Sequence, residues 1–415
     1  MLRLAFANLW HRKVRSLLSI LAVAVGIMML VVLVSLSRGS VDEVRRRFES
    51  VDAELVVTQA NWDPTQSEAQ MMAADKRAER LEREVLDSSG KPLIKAVIPV
   101  LVAEVTMAGQ RQRVFGIHPD HWGQFAGSRK LLEGRLLDDP FGRTLRKRSL
   151  AGTYYDFEAV PPEELRPGLQ LLIDDRLARA GFRDPQTGQK RPYAVGDKVR
   201  VMGDQEWTVV GVVESGVAGR VFAPIWTLRH FHGRGEGATV MFVKLHDPAR
   251  AAEAEDTLRD WFAKLGVRYD IQLKNAYGKV LLEQVQSILL FTDVISGLSL
   301  AVSFLVILLT VYTMVVERTH EIGILRSLGA SRTQVLLEIV AESVMISGAG
   351  TLAGVGLSYA VAAGIHTFFP LLTVEIRVEW LAVAAALGVL GGALAALVPA
   401  WMAARADPVA ALSHF

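Results

Sequence analysis

Apolar residues fall along this chain in two rhythms: unbroken runs of membrane length, and short alternating stretches set between turn residues. A helix needs about 20 apolar residues to cross a hydrocarbon core. Four runs reach that length: Leu17 to Leu36, Gly297 to Val316, a stretch within Ile339 to Phe369, and Leu381 to Met402. The first holds no charge and follows His11, Arg12, Lys13 and Arg15. It is too long for the apolar core of a secretory signal and no small-residue cleavage site follows, so it reads as an uncleaved span. Ahead of it Leu2, Ala5, Phe6 and Leu9 share one helical face beside Trp10, which predicts an amphipathic helix lying on the inner leaflet.

Between the first two runs the rhythm changes. AELVV after Asp52 reads as a short strand, and Met71, Ala74, Ala78, Leu81 and Val85 then form one helical stripe. Thr239 to Leu245 alternates like a strand, and Asp247 with Pro248 makes an N-cap followed by proline at the first helical position. Ala251, Ala254, Leu258, Trp261 and Leu265 continue as a stripe, Gly266 closes it, and VRYDIQL returns as a strand. The pattern predicts two β-α-β units in an α/β sandwich. From about 118 to 237 the sequence is rich in glycine, proline and charge, and KVRVMGDQEWTVVGVVE holds two alternating runs joined near Gly203 and Asp204, a hairpin pattern. This predicts a β-rich subdomain inserted into the first, with loops at Tyr154 to Gly168 and Arg183 to Pro192.

The composition agrees with a mixed protein. With 51% hydrophobic and 22% charged residues, part of the chain belongs in lipid and part in water. Basic residues in short flanks set the orientation: Arg3, Arg12, Lys13 and Arg15 before the first span, Arg318, Arg326 and Arg332 between the second and third, and Arg405 after the fourth. Both termini are then cytoplasmic, and Gly39 to roughly Ser287 is one large extracytoplasmic domain. A net charge of +2 gives no basic excess for nucleic acid, and the absence of cysteine removes disulfides and thiolate sites.

At the end of the second run stands MVVERTHEIGILRSLGASRTQVLLEIVAES. It resembles the cytoplasmic loop of MacB/FtsX-type permeases, with its V-x-E-R-x-x-E-I-G-I-x-x-x-x-G-A-S pattern. NLWHRKVRSLLSILAVAVG resembles that family's N-terminal elbow and first span, KLLEGRLL and AVGDKVRVMGDQEWTVVGVVESG its inserted subdomain, and PAWMAARADPVAALSHF its tail. The chain is thereby similar throughout to type VII ABC transporter permeases of the mechanotransmission type. The expected fold is an α-helical membrane protein with four transmembrane helices and a large α/β extracytoplasmic domain, a porter-like α/β part carrying a β-rich insertion. The expected segments are an elbow helix at 1–15, a first span at 16–38, a periplasmic core at 39–287 with its insertion at about 118–237, and a stalk with the second span at 288–316. A coupling segment follows at 317–338, then a third span at 339–369, a turn at 370–379, a fourth span at 380–403 and a tail at 404–415.

The resemblance implies that Glu317, Arg318, Glu321, Ile322, Leu325, Arg326, Gly329 and Ala330 face a cytoplasmic ATPase. Their pattern suits this, with Ile322, Ile324 and Leu325 near one another, charges around them, a glycine turn, and Ser331 able to cap the next helix. No G-x-x-x-x-G-K-[ST] motif is present, since Ser89-Gly90-Lys91-Pro92 lacks both spacing and hydroxyl, so no enzyme activity is expected of these residues and ATP and Mg enter only through the partner. The implied partners are an ABC ATPase dimer, a second permease subunit with a homodimer favoured over a heterodimer, membrane lipid, and a periplasmic adaptor or other periplasmic protein, in a bacterial inner membrane. Gly350 with Gly354, and Gly388 with Gly392, have the spacing for close helix packing, between subunits or within one. Export or extraction of a substrate is the leading expectation. FtsX-like regulation of a cell-wall hydrolase and LolC/LolE-like lipoprotein release share the topology. The pairs His118 with His121 and His230 with His232 have metal-like spacing, but proline interrupts the first, the second converges only on a strand, and both read as solvated loop histidines. Arg143, Arg146, Lys147 and Arg148 read as a solvated basic loop.

Overall fold

The computed structural model describes residues 13–60, 71–87, 89–140, 142–143, 166–183, 187–202, 205–232, 236–276, 286–317, 324 and 329–405. The elbow helix up to residue 12, the Gly203–Asp204 turn, Arg146 to Arg148, residues 154–165 of the first expected loop and the tail from 406 lie outside the described residues. The chain divides into two units, one formed by residues up to Val41 and from Gln286 onward, the other by Asp42–Val285.

Helix α1 (Lys13–Glu49) continues well past the expected end of its span, and its last two turns belong to the second unit. That outer unit proceeds through β1 (Leu55–Gln59), α2 (Ala74–Glu84), β2 (Ile94–Met107), β3 (Gln110–Ile117), α3 (Trp122–Ala126), β4 (Leu131–Gly134) and β5 (Gln170–Asp174). It continues with α4 (Asp175–Ala180), β6 (Phe182–Arg183), β7 (Lys190–Arg191), β8 (Lys198–Arg200), β9 (Glu206–Val213), β10 (Val221–Pro224), α5 (Ile225–His232), β11 (Val240–Leu245), α6 (Ala251–Lys264) and β12 (Tyr269–Leu273). All but β6 and β7 join one sheet, in the order β12-β1-β11-β2-β3-β10-β5-β9-β4, with β8 also on β9.

The first four strands of that order are mutually antiparallel neighbours. The units β1-α2-β2 and β11-α6-β12 therefore interleave, each straddling a strand of the other, which is a split β-α-β arrangement. Leu81, Ala78, Leu258, Phe262, Met241 and Ile271 fill the core between this sheet and its helices. Met71, Ala74 and Val85 are buried too, although Met71 sits before α2 in a bridge to Ala238. Leu265, expected in the second stripe, is 38% exposed, whereas Phe262 is buried. The helix ends at Lys264 and Gly266 turns at φ +68°, so Leu265 has left the helical period.

The insertion begins earlier than His118. Strand β2 pairs with β11 up to Val100 and with β3 from Leu101, so the hairpin from Leu101 to Ile117 belongs to the inserted strands. Around it Phe125, Phe222, Phe242 and Trp122 pack edge to face in a second core. The stretch from Arg183 to Pro192 is not wholly a loop, because β6 and β7 pair there and Phe182 stacks on Tyr193 with centroids 4.5 Å apart.

In the other unit, α1 is joined by α7 (Gln286–Glu317), α8 (Arg332–Phe368) and α9 (Val378–Arg405). Among the described residues, Ser16–Arg47, Arg332–Phe368 and Val378–Met402 are long and apolar enough to cross a membrane. Helix α8 has 37 residues, about 55 Å at roughly 1.5 Å per residue, so it exceeds a single crossing. Its first two turns occupy residues that the sequence assigned to the coupling segment.

Candidate coupling site and its supports

The expected coupling segment lies between α7 and α8. Helix α7 is described as far as Glu317, and Arg318, Glu321, Ile322, Leu325 and Arg326 lie outside the described residues. The far end of the segment is well defined. Gly329 turns at φ +99°, a backbone state that side chains with a Cβ disfavour, and Ala330 is half-buried. Ser331 then opens α8 with a reciprocal cap: its Oγ accepts from the Gln334 N–H at 3.2 Å and its own N–H donates to Gln334 Oε1 at 2.8 Å. Such a cap stabilises a helix start by about 1 kcal/mol and fixes the direction in which the chain enters. One turn on, Val335 and Ile339 are buried against α1 and α9 residues. The turn is thus attached to the helix bundle rather than hanging from it.

All four expected packing glycines contact neighbouring helices of the same chain. A Cβ at Gly350 would lie 2.6 Å from the Val23 Cβ, and one at Gly354 2.7 Å from the Ala24 carbonyl oxygen. At Gly388 it would meet Thr351 Oγ1 and at Gly392 Ser347 Oγ. Ser343 Oγ donates to the Gly392 carbonyl at 2.9 Å. Backbones therefore approach closely along α8, against α1 on one side and α9 on the other.

Glu342 escaped the sequence reading. It lies in α8 and is 4% exposed. A lone carboxylate inside the third apolar run was the available signal, because ionisable residues in such runs are costly and are kept for a reason.

The outer unit holds two buried charge clusters. Asp75, in the first turn of α2, accepts from Arg229 Nη1 of α5 at 2.9 Å and lies 3.0 Å from His118 Nε2. Arg229 Nε also donates to the Gly237 carbonyl at 2.8 Å. Burial alone would raise the Asp75 pKa, but Arg229 and His118 outweigh it and hold the carboxyl well below the usual carboxylate range. His118 is accordingly not a solvated loop histidine: it closes a buried triad. His121 lies 2.9 Å from Gln124 Oε1, and His230 and His232 sit on helix α5 rather than on a strand. Arg143 is exposed and pairs with Asp138 at 2.8 Å, but it sits in a helical turn, its N–H donating to the Asp139 carbonyl at 3.0 Å, and not in a loop.

The second cluster surrounds Glu43 and Arg47 at the outer end of α1. Arg47 Nε donates to Glu43 Oε1 at 2.9 Å, its Nη2 reaches Asp174 Oδ2 at 3.3 Å, and its Nη1 donates to the Gly219 carbonyl at 3.1 Å. Arg176 Nη1 donates to Glu43 Oε2 at 2.6 Å, and Arg220 lies 3.5 Å from Glu43 Oε1. Burial raises the Asp174 pKa above its ordinary value, against the pull of the Leu177 N–H, Arg47 and Arg220.

Comparison with known proteins follows this architecture. The profile of the MacB-like periplasmic core domain matches residues 16–261, and that of the FtsX-like permease C-terminal region matches residues 294–408. The macrolide export ATP-binding/permease protein MacB of Agrobacterium fabrum is 26% identical over 432 residues, covering 100% of this chain and 60% of the relative. The ABC transporter permease YknZ of Bacillus subtilis is 36% identical over 124 residues, covering 29% of this chain and 30% of the relative. The periplasmic region of MacB from Actinobacillus actinomycetemcomitans aligns at 13% identity with a TM-score of 0.35, covering 56% of this chain and 93% of that one. The chain spans about three fifths of the length of the MacB relatives it matches. A membrane-anchored N-terminal helix, an extracytoplasmic α/β domain and a C-terminal helical permease region thus follow one another in the family's order, and the chain belongs to the MacB/FtsX-like family of ABC transporter permeases.

Proposed function

We propose that the chain is the membrane subunit of an ABC exporter that converts ATP-driven motion in the cytoplasm into movement of its extracytoplasmic domain. The observation that carries this reading is the order of the two family matches, an outer core domain followed by an FtsX-like permease region, on one chain. In this reading α7 is a fourth span, both termini are cytoplasmic, and the membrane is the bacterial inner membrane. The positive-inside distribution of arginines supports the orientation. The segment from Glu317 to Ala330 receives the ATPase, and the capped start of α8, held through buried Val335, passes its displacement to the bundle. Relatives named as macrolide exporters support export as the task, and a relative named as a permease supports an ATPase carried on a separate chain. A homodimer over an ATPase dimer, with a periplasmic adaptor, completes the assembly.

The test is purification of the full chain in nanodiscs with whatever co-purifies, followed by ATPase assays. Glu321→Ala and Gly329→Val should abolish stimulation of the co-purifying ATPase while the chain stays folded. Unchanged stimulation in both variants sinks the coupling role. Recovery of a cell-wall hydrolase in place of an adaptor would redirect the function to regulation.

A further inference from the structure

The two ends of the outer unit are held in different ways. At its exit, β12 hands over to Lys274, whose Nζ donates to the carbonyls of Val51 at 2.8 Å and Glu49 at 3.3 Å. At its entrance, Glu43 and Arg47 in the last two turns of α1 are tied to the inserted β-rich part, while only the final carbonyl of the helix, that of Glu49, meets Lys274 beyond β12. Among the described residues, the partners of the Glu43 and Arg47 side chains outside α1, namely Asp174, Arg176, Arg220 and the carbonyls of Val217 and Gly219, belong to the insertion. The Asp52 N–H also donates to the Gln124 carbonyl at 2.8 Å, and Gly127 leaves space for the Ser50 carbonyl.

We propose that the cluster Glu43, Arg47, Asp174, Arg176 and Arg220 is a force-bearing anchor that makes the outer end of α1 and the inserted part move as one body. The physical case rests on the kind of contact. A buried ion network is a weak source of net stability, since desolvation cancels much of its attraction. It is directional, however: charge-assisted hydrogen bonds fix distance and angle together, whereas apolar surfaces slide. Glu43 is the keystone, because its two oxygens serve three arginines, two of them from the insertion. Asp174 adds a second fixed point, as its Oδ1 caps α4 by accepting from the Leu177 N–H at 2.7 Å. A rotation of α1 about its axis would break several of these bonds at once.

This inference deepens the reading above and rests on α1 being displaced during an ATP cycle. The chain lacks cysteine, so introduced cysteines can be spin-labelled without background. Arg45→Cys on the exposed side of α1 and Lys198→Cys on the insertion report the anchor by pulsed electron resonance on the full chain in nanodiscs, diluted with unlabelled chain. A control pair, Lys198→Cys with Asp256→Cys on α6, reports that the domain is folded. The parent should give one narrow Arg45–Lys198 peak without nucleotide, at the same position when the co-purified ATPase is trapped with ATP and vanadate. Glu43→Gln should lose the narrow peak and leave the control pair unchanged. Arg176→Ala, whose side chain is partly exposed and spares the core, should broaden it. Peaks as narrow in both variants as in the parent overturn the proposal, as does a parent peak that is broad or that shifts on trapping. An ATPase that never engages the chain leaves the nucleotide-free result standing and counts against the broader reading instead.

Discussion

The two units of this molecule are inverted copies of one packing rule. In the outer unit Trp207, Trp226, Phe125, Phe222 and Phe242 are hidden, while exposed helix faces carry arginine and glutamate pairs such as Arg80 with Glu84. In the other unit Ala384, Ala395, Ala396 and Ala400 are fully buried, while Leu298, Leu305, Leu352 and Leu390 are more than half exposed. Water drives large apolar side chains inward, at about 25 cal/mol per Å². Lipid gives no such drive, so close backbone approach through small residues holds the helices together. The same type of substitution must therefore cost different amounts in the two places.

The largest effect is expected where the outer unit buries charge. Arg229→Ala leaves Asp75 enclosed with one partner fewer and should cost about 3–5 kcal/mol, read as a lowered unfolding midpoint in tryptophan fluorescence of the full chain. A loss below about 1 kcal/mol would mean that water reaches Asp75 and that the triad is not a closed core. Next comes overpacking of the bundle. Gly354→Val should cost about 1–3 kcal/mol, because its Cβ would meet the Ala24 carbonyl. Thermal unfolding in detergent measures it, and a neutral result would show that α1 and α8 separate freely.

A pH effect follows. Asp139 is buried, its Oδ1 accepts from the Gly142 N–H, and its Oδ2 has no partner among the described residues. Burial pushes its carboxyl up to about 6, against the Gly142 N–H and Arg143, with Asp138 and Asp120 adding to the rise. The folded state then holds this proton where the unfolded chain has released it. Its contribution is full below the ordinary carboxylate pKa, near 3.8, and is lost as pH rises through about 6. Asp139→Asn should flatten that decline and stabilise the chain by on the order of 1–2 kcal/mol at neutral pH. Unfolding midpoints taken across the window test it, and an unaltered slope refutes the assignment. The smallest effect belongs to the exposed apolar surface of α7: Leu305→Ala should change stability by less than about 0.5 kcal/mol. A loss above 1 kcal/mol, by the same melts, would reveal a second helix covering α7, because about that much is lost only when buried methylenes are removed.

Periodicity made the helices and the interleaved strands legible, since Ala78, Leu81, Ala254 and Leu258 repeat as a single face must. Gly329 and Ser331 were readable as a turn and a cap for the same local reason. The buried ion clusters were not, because Asp75 and Arg229 stand 154 positions apart and no local pattern marks either as a partner of the other. Proline in His118-Pro119 suggested an exposed turn, but the short helical turn after it directs the histidine inward. The start of the insertion was hidden because β2 is one unbroken, largely apolar strand that changes partner midway.

That change of partner has a hereditary consequence. Val100 and Val240 face each other on adjacent antiparallel strands, and everything between them leaves and re-enters the split β-α-β sheet at that one rung. A two-residue turn could join β2 to β11 there and close a hairpin. The segment is therefore built like a cassette, although His118 and Arg229 within it are the partners of the host's buried Asp75. Asp174, Arg176 and Arg220 would depart with it, so any substitute has to bring its own grip on Glu43 and Arg47.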